Sequence, residues 1–218
     1  MKAGKMIVMT VPVVLIALLG AWMAAGYLPV RYIETPPYQV IRSGKGYEIR
    51  QYESRILAEV RVSGGYRSAI NNGFRKVAGY IFGDNTASDS IAMTAPVLHE
   101  KQAAAQKIAM TAPVLHEKEA DTDVYAVAFV MPGAYTLDSL PTPNNAEVVL
   151  REAPPARFAV LRFRGFVREK TIERRTKQLL SLLERDNIVV AGAPTVAQYH
   201  PPWTPPFMRR NEILAPLE

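Results

Sequence analysis

Three histidines, His99, His116 and His200, are the side chains of this chain best suited to acid–base chemistry or metal binding. His99 and His116 occupy the same place in two identical segments, so the duplication itself accounts for their recurrence. No carboxylate pattern accompanies them, and neither a nucleophile–base pair nor a phosphate-binding loop stands out. The chain also lacks cysteine. We therefore predict neither a catalytic site nor a metal site, and we do not expect an enzyme.

The two identical segments, Ile91–Lys101 and Ile108–Lys118, both read IAMTAPVLHEK and are separated by Gln102–Lys107. Apolar residues alternate along each copy, which predicts a half-buried strand. The proline of each copy cannot donate a hydrogen bond to a neighbouring strand, so we expect it at an edge, a bulge or a strand end. Two interpretations stay open. One is a copying event that lengthened a loop, and the other is a hairpin in which the copies pair antiparallel through a turn near Ala103–Ala105.

The N-terminal segment differs in composition from the rest of the chain. Lys2 and Lys5 precede a stretch from Met6 to Val30 without a charged side chain, and Arg31 closes it. A helix of this length could cross a hydrocarbon layer of roughly 30 Å, so residues 1–30 are predicted to be a membrane anchor, with a cleaved signal segment as the alternative. Lysines on the short N-terminal side of this stretch favour a cytoplasmic N-terminus. They therefore predict a single-pass cell-membrane protein whose soluble domain lies on the periplasmic side. Signal cleavage would instead give a secreted or periplasmic protein.

The remaining chain is predicted to form a tether and one domain. Residues 31–46 form a linker and a first short strand, and residues 47–218 are long enough for a single hydrophobic core. The formal net charge is +6, and basic residues concentrate between Arg151 and Arg185. Because these residues alternate with apolar ones, they predict a solvated amphipathic face rather than a nucleic-acid interface.

A second, more diverged repeat is visible when the sequence is shifted so that Gly64 falls on Gly165. Arg61 then falls on Arg162, each between two apolar residues. In each half a short strand, a turn and a longer alternating strand lead to the glycine and then to a segment with helical period. Each half therefore predicts a β-hairpin followed by a helix.

The two helices are predicted over Tyr66–Ile81 and Glu169–Arg185, and further strands over Val124–Met131, Thr195–Tyr199 and Glu212–Leu217. Two helices with many antiparallel strands indicate an α+β fold. We expect duplicated hairpin–helix halves that form a distorted, mostly antiparallel β-barrel flanked by two helices and preceded by the N-terminal transmembrane helix.

Several strings of the chain resemble those of the SOUL/heme-binding protein family, in the family's order from about Tyr38 to the C-terminus. These strings are Tyr47-Glu48-Ile49-Arg50-x-Tyr52, Ala69-Ile70-x-x-Gly73-Phe74, Tyr80-Ile81-x-Gly83-x-Asn85, the IAMTAPV motif, Phe129-Val130-Met131-Pro132, Tyr199-x-Pro201-Pro202-Trp203-Thr204-Pro205-Pro206-Phe207 and Arg210-Asn211-Glu212. The resemblance implies a duplicated β/α barrel with two helices that binds heme or a related tetrapyrrole non-covalently.

The resemblance also implies a binding groove with apolar walls and a few basic groups at its rim. Phe74 and Ala78 would touch the ring from the first helix, and Trp203 and Phe207 would close the groove from a loop. Met93 and Met110 would lie on corresponding faces, with at least one of them near the groove. Arg75, or Arg67 or Lys76 beside it, would serve the propionates. Some members have an axial histidine where this chain has Gln51. His200 is then either a new ligand or a solvent-facing loop residue.

These features predict a membrane-tethered monomer that binds heme or a related tetrapyrrole in a hydrophobic groove, for transport, buffering or delivery. The alternative is a sensor or interaction module that binds a different small molecule or a peptide on the same fold. Titration with hemin and protoporphyrin separates the two.

Overall fold

A computed structural model of the protein describes residues 2–87, 105–120 and 122–218. Its helices are α1 (Lys2–Arg31), α2 (Tyr66–Phe82) and α3 (Glu169–Arg185), with a single 3-10 turn at Pro206–Met208. Its strands are β1 (Tyr38–Ser43), β2 (Glu48–Tyr52), β3 (Arg55–Ser63), β4 (Asn85–Thr86), β5 (Val114–Lys118), β6 (Val124–Val130), β7 (Thr142–Pro143), β8 (Val149–Ala153), β9 (Ala156–Phe163), β10 (Thr195–Gln198) and β11 (Asn211–Pro216). The predicted α+β class is confirmed.

Nine of these strands form one antiparallel sheet in the order β1-β2-β9-β11-β10-β5-β6-β3-β8, and β4 pairs with β7 in a separate ribbon. The sheet curls into an open half-barrel and does not close into the barrel that the sequence predicted. A register shift between Val40 and Arg42 disturbs the ladder of β1, which is one edge of the sheet. An irregular edge is a poor template for a further ladder, which accounts for the open side.

The two diverged halves are present, but their strands do not form the predicted hairpins. β2 pairs with β9 of the other half, and β3 pairs with β8. The runs β2–β3 and β8–β9 are therefore two kinked strands that lie antiparallel, with Tyr52 opposite Ala156 and Arg55 opposite Ala153. The connections, Glu53-Ser54 and Pro154-Pro155, lack the glycine or asparagine that two-residue hairpin turns need at positive φ, and proline holds φ near −65°.

Gly64 and Gly165 occupy equivalent corners between the long strand and the helix of each half, as predicted. Their φ angles are +123° and +103°, a region that side chains with a Cβ resist. The Gly64 amide donates to the carbonyl oxygen of Asp123 at 2.9 Å, and the Gly165 amide donates to that of Pro206 at 3.0 Å. The second corner is thereby joined to the proline-rich loop that precedes β11.

Both long helices of the domain cover the same face of the sheet. Val196 of β10 and His116 of β5 are register partners and so point to one face. Val196 belongs to the apolar core beneath α3, whereas the His116 ring lies 5.6 Å from the ring of Tyr66 in α2. The opposite face is lined by Tyr52, Val160, Ala197, Tyr199 and Leu214.

Helix α2 approaches the sheet most closely at Gly73. A Cβ there would lie 2.6 Å from Cγ2 and 2.7 Å from Cβ of Val127, which is fully buried in β6. We expect Gly73→Ala to lower the free energy of unfolding by about 1–3 kcal/mol, because this overpacking outweighs the better helix propensity of alanine. Urea denaturation measures the loss. Gly79→Ala is the matched control, since its nearest neighbour is 3.8 Å away, and an equal loss there would contradict the explanation.

Within the described residues, no helix is both long and apolar enough to cross a membrane. Helix α1 covers Lys2–Arg31. The predicted single-pass location in the cell membrane, with a periplasmic domain, is therefore wrong.

The second copy of the duplicated segment supplies a central strand. Its residues Val114–Lys118 form β5, which pairs with β10 on one side and β6 on the other. Pro113 directly precedes this strand, in agreement with the expectation of a strand end. The first copy lies outside the described residues. Because both edges of β5 are already paired, the prediction that the two copies pair with each other is wrong for this strand.

Candidate functional site

A stripe of apolar side chains on α2 includes two of the predicted heme contacts. Phe74, Ala78 and Phe82 are four residues apart and so share one side of the helix. Phe74 is 39% exposed and Phe82 56%, whereas Ala78 between them is buried. The Phe74 ring is held by a tilted contact with the buried Phe129 ring, at 5.4 Å between centroids. The stripe therefore presents two phenyl rings on either side of a small residue.

The basic residues beside this stripe have different partners. The guanidinium of Arg75 donates to the side-chain oxygen of Asn72, and its side chain is exposed. Lys76 pairs with Glu147 at 2.6 Å. Arg67 is exposed and borders an open cleft of about 560 Å³ between the N-terminal ends of α2 and α3. Arg75, which directly follows Phe74 in the sequence, is thus an exposed basic residue next to the stripe.

The predicted loop residues form a second group on the other half of the fold. Trp203 is 58% exposed and Phe207 50%. The carbonyl oxygen of Trp203 accepts a hydrogen bond from Nε1 of Trp22 at 2.9 Å, and that of Phe207 accepts one from Arg164 at 2.9 Å. This loop is thereby attached to α1 and to the end of β9.

His200 precedes this loop and is half-buried. Burial and the neighbouring arginines lower the pKa of His200. Its Nδ1 accepts a hydrogen bond from the Arg210 amide at 3.1 Å, which places the proton of the neutral ring on Nε2. A histidine that binds a metal usually donates its other ring N–H to a partner. The geometry therefore does not favour His200 as an axial ligand of heme iron.

No hydrogen bond or ring contact in the described part of the chain joins the α2 group directly to the loop group. The N-terminal segment joins the loop to the residues that precede β5. The Gly26 carbonyl oxygen accepts from Thr204 Oγ1 at 3.2 Å, and the Glu34 carbonyl oxygen accepts from the Ala112 amide at 2.9 Å. Met110 lies half-buried just before Ala112, whereas Met93 lies outside the described residues.

A buried carboxylate cluster, formed by Glu212, Arg50, Arg210 and Tyr199, was not recognised as a unit from the sequence. Glu212 is fully buried. Its Oε2 accepts from Arg50 at 3.0 Å and from the Tyr199 hydroxyl at 2.7 Å, and its Oε1 accepts from Arg210 at 2.9 Å. Burial raises the pKa of Tyr199, and the Glu212 carboxylate raises it further. Glu212 and Tyr199 fall in quoted motifs, but their alternation with apolar residues also suits an ordinary strand.

His116 is the second buried polar residue with unusual surroundings. Its ring is 3% exposed, and its Nε2 lies 3.0 Å from Nε2 of Gln198. Burial lowers the pKa of His116 to about 3, so the imidazole is neutral near pH 7. Among the described residues, no group of three histidine, cysteine or acidic side chains could hold a metal ion.

Comparison with solved structures supports the fold. The C-terminal domain of EcmrR superposes with a TM-score of 0.56 at 10% identity, covering 83% of this chain and 98% of that one. An uncharacterized conserved protein from Listeria innocua gives 0.53 at 8% identity, covering 79% and 92%. A hydrolase from Listeria innocua gives 0.51 at 9% identity, covering 82% and 94%. At sequence identities this low, the superpositions show only that the folds are alike.

Comparison with curated proteins finds no match. The family model described as SOUL heme-binding protein matches residues 33–104 and 98–216. The two matched regions span the described sheet with α2 and α3, and they include every string on which the resemblance rested. The chain therefore belongs to the SOUL heme-binding protein family.

Proposed function

We propose that this protein binds heme or a related tetrapyrrole reversibly against the apolar stripe of α2, for transport, buffering or delivery. Membership of the SOUL heme-binding family supports the ligand class. The observation that carries the placement is the stripe itself. Two partly exposed phenyl rings lie on either side of the buried Ala78, and their exposed faces offer apolar surface to a flat macrocycle.

The charged groups around the stripe suit the rest of the ligand. A tetrapyrrole of this class carries carboxylates, and the exposed Arg75 guanidinium can pair with one of them. Covalent attachment through thioether bonds requires cysteines, and the sequence has none. Since the His200 geometry does not favour iron ligation, ring packing would supply most of the affinity. We propose binding rather than catalysis on this basis.

Titration with hemin and with iron-free protoporphyrin IX tests this proposal, with porphyrin absorbance and tryptophan quenching as readouts. We expect similar affinities for both, because packing of the ring and not the iron dominates. Phe74→Ala combined with Phe82→Ala should weaken both affinities about tenfold or more, since each phenyl burial contributes on the order of 1.5–3 kcal/mol when complete.

Leu180→Ala is the matched control, because Leu180 is the exposed apolar residue of α3. Trp203→Ala with Phe207→Ala tests the loop group in the same assay. A loss confined to the loop variant would move the site to the loop. A clear preference for hemin would indicate that a side chain of the protein ligates the iron.

A second candidate function is binding of a different small molecule in the cleft between the two helices. This cleft of about 560 Å³ is open to solvent and is lined by Tyr66, Arg67, Asn71 and Glu169, among others, which offer an aromatic ring and charges of both signs to a polar ligand. Absence of binding to both porphyrins would favour this alternative.

A further inference from the structure

The sheet has one β5 position, and the chain contains two identical sequences that fit it. From the second copy, Ile108, Thr111, Ala112 and His116 are all buried. β5 also pairs with β6 over its whole length, from Val114 opposite Phe129 to Lys118 opposite Tyr125. The first copy offers the same residue at each of these positions, seventeen residues earlier, which is the offset between Ile91 and Ile108. No interaction inside the repeated segment can therefore distinguish the copies.

Only the flanking residues differ between the copies, and their interactions are weak. Glu119 pairs with the exposed Arg61 at 2.7 Å, and the corresponding residue after the first copy is Gln102. Such surface pairs contribute little to stability. Asn85 makes two hydrogen bonds to the backbone of Gln106, at 2.8 and 2.9 Å. Asp89 occupies the corresponding place before the first copy and carries the same backbone amide and carbonyl groups.

The connections do not decide between the copies either. With the second copy in the sheet, the connection from β4 is long and the connection to β6 is short. With the first copy in the sheet, the connection from β4 to β5 would be short and the connection from β5 to β6 would be long. Closure entropy grows only with the logarithm of loop length, so exchanging the two lengths changes the total little. Each copy also lies inside one of the two regions that match the family.

We infer that either copy can supply strand β5, so that the protein exists in two sheet arrangements related by a seventeen-residue slip of the chain. The two arrangements have the same core and the same buried histidine position. They differ in where the unused copy emerges, before β5 or between β5 and β6. The duplication of the segment thus allows a conformational exchange between these two arrangements.

Engineered cysteine pairs can detect both arrangements, because the chain has no cysteine of its own. Leu115 lies directly opposite Ala128 in β6, and such partners have Cβ atoms about 4.5–5.5 Å apart, within reach of a disulfide after small adjustment. The pair Leu115→Cys with Ala128→Cys should cross-link on oxidation. The pair Leu98→Cys with Ala128→Cys should also cross-link, in a smaller fraction of molecules.

The control pair is Leu98→Cys with Ala215→Cys, since Ala215 of β11 packs against α3 on the other face. It should not cross-link, and peptide mass spectrometry identifies each product. Absence of the cross-link from position 98 to position 128, or equal cross-linking of the control, would overturn the inference.

A charge at position 116 provides an independent test through folding. His116→Asp places a carboxylate in the buried β5 position, so the second copy should be expelled and the first should take its place. The variant should therefore stay folded, and the fraction cross-linked from position 98 to position 128 should rise several-fold. The double variant His99→Asp with His116→Asp should not fold. Unfolding of His116→Asp alone would show that the first copy cannot substitute.

Discussion

Lowering the pH from 6.5 to 4.5 is expected to reduce the free energy of unfolding by roughly 2 kcal/mol through the buried histidine alone. Burial lowers the pKa of His116 to about 3, from an ordinary value of 6.5. The unfolded chain therefore takes up a proton as the pH falls below 6.5, while the folded chain does not until about pH 3. A shift of one pKa unit corresponds to about 1.4 kcal/mol, so this contribution is complete above pH 6.5 and declines steadily below it.

Urea denaturation followed by tryptophan fluorescence at the two pH values measures this loss. The control is His99→Gln combined with His116→Gln, so that neither copy can bring an imidazole to β5. His200, whose pKa is lowered as well, stays in both proteins. Carboxylates such as Asp186, with its pKa lowered to about 2 by Arg185 and Tyr47, act mainly below this window. An equal pH dependence in the control would assign the effect to groups other than the β5 histidine.

Replacing Glu212 with glutamine is expected to cost about 3–5 kcal/mol of stability. The side chain is fully buried and accepts hydrogen bonds from Arg50, Arg210 and Tyr199. The change removes the charged partner of Arg210 and leaves the buried Arg50 with only Glu48, which is 42% exposed, as a charged partner. Breaking a buried ion pair in this way carries a penalty of about that size. Thermal and urea unfolding of the purified variant measure the loss.

Two comparisons make this second prediction specific. Glu147→Gln breaks the exposed pair with Lys76, whose separation is 2.6 Å, and should cost less than about 1 kcal/mol. Arg50→Met combined with Glu212→Leu removes the two most buried charges and should cost less than Glu212→Gln alone, because the charge that then lacks a partner, that of Arg210, is partly exposed. A double variant that is less stable than the single one would show that other contacts of the cluster dominate.

Local features of the structure were predictable because they depend on short-range periodicity. The observed bounds of α3, Glu169–Arg185, match the predicted ones, and α2 ends one residue later than predicted, at Phe82. The stripe of Phe74 and Ala78 follows from the same helical period, and it could have included Phe82. The corner glycines were identifiable because a positive φ favours glycine.

Strand pairing was not predictable, because it depends on contacts between distant parts of the chain. The same alternating pattern suits a hairpin within each half or the observed exchange, in which β2 pairs with β9 and β3 with β8. Pro154-Pro155 is the local signal against a two-residue hairpin turn, because proline holds φ near −65°. Likewise, the identical copies could not reveal that β5 would have both its edges occupied.

The sequence by itself determined the family, the helices, the diverged repeat and the apolar stripe of α2. Each of these follows from the order and spacing of residues that are close together in the chain. Only the tertiary structure decided that the sheet stays open, that the loop with Trp203 attaches to α1, and that Glu212 gathers two arginines and a tyrosine in the interior. The physical reason is that burial is a property of the assembled fold. The sequence pattern around a glutamate or a histidine on a strand is the same whether the side chain faces water or the core. Its contribution to stability depends on the neighbours that distant segments bring into contact with it.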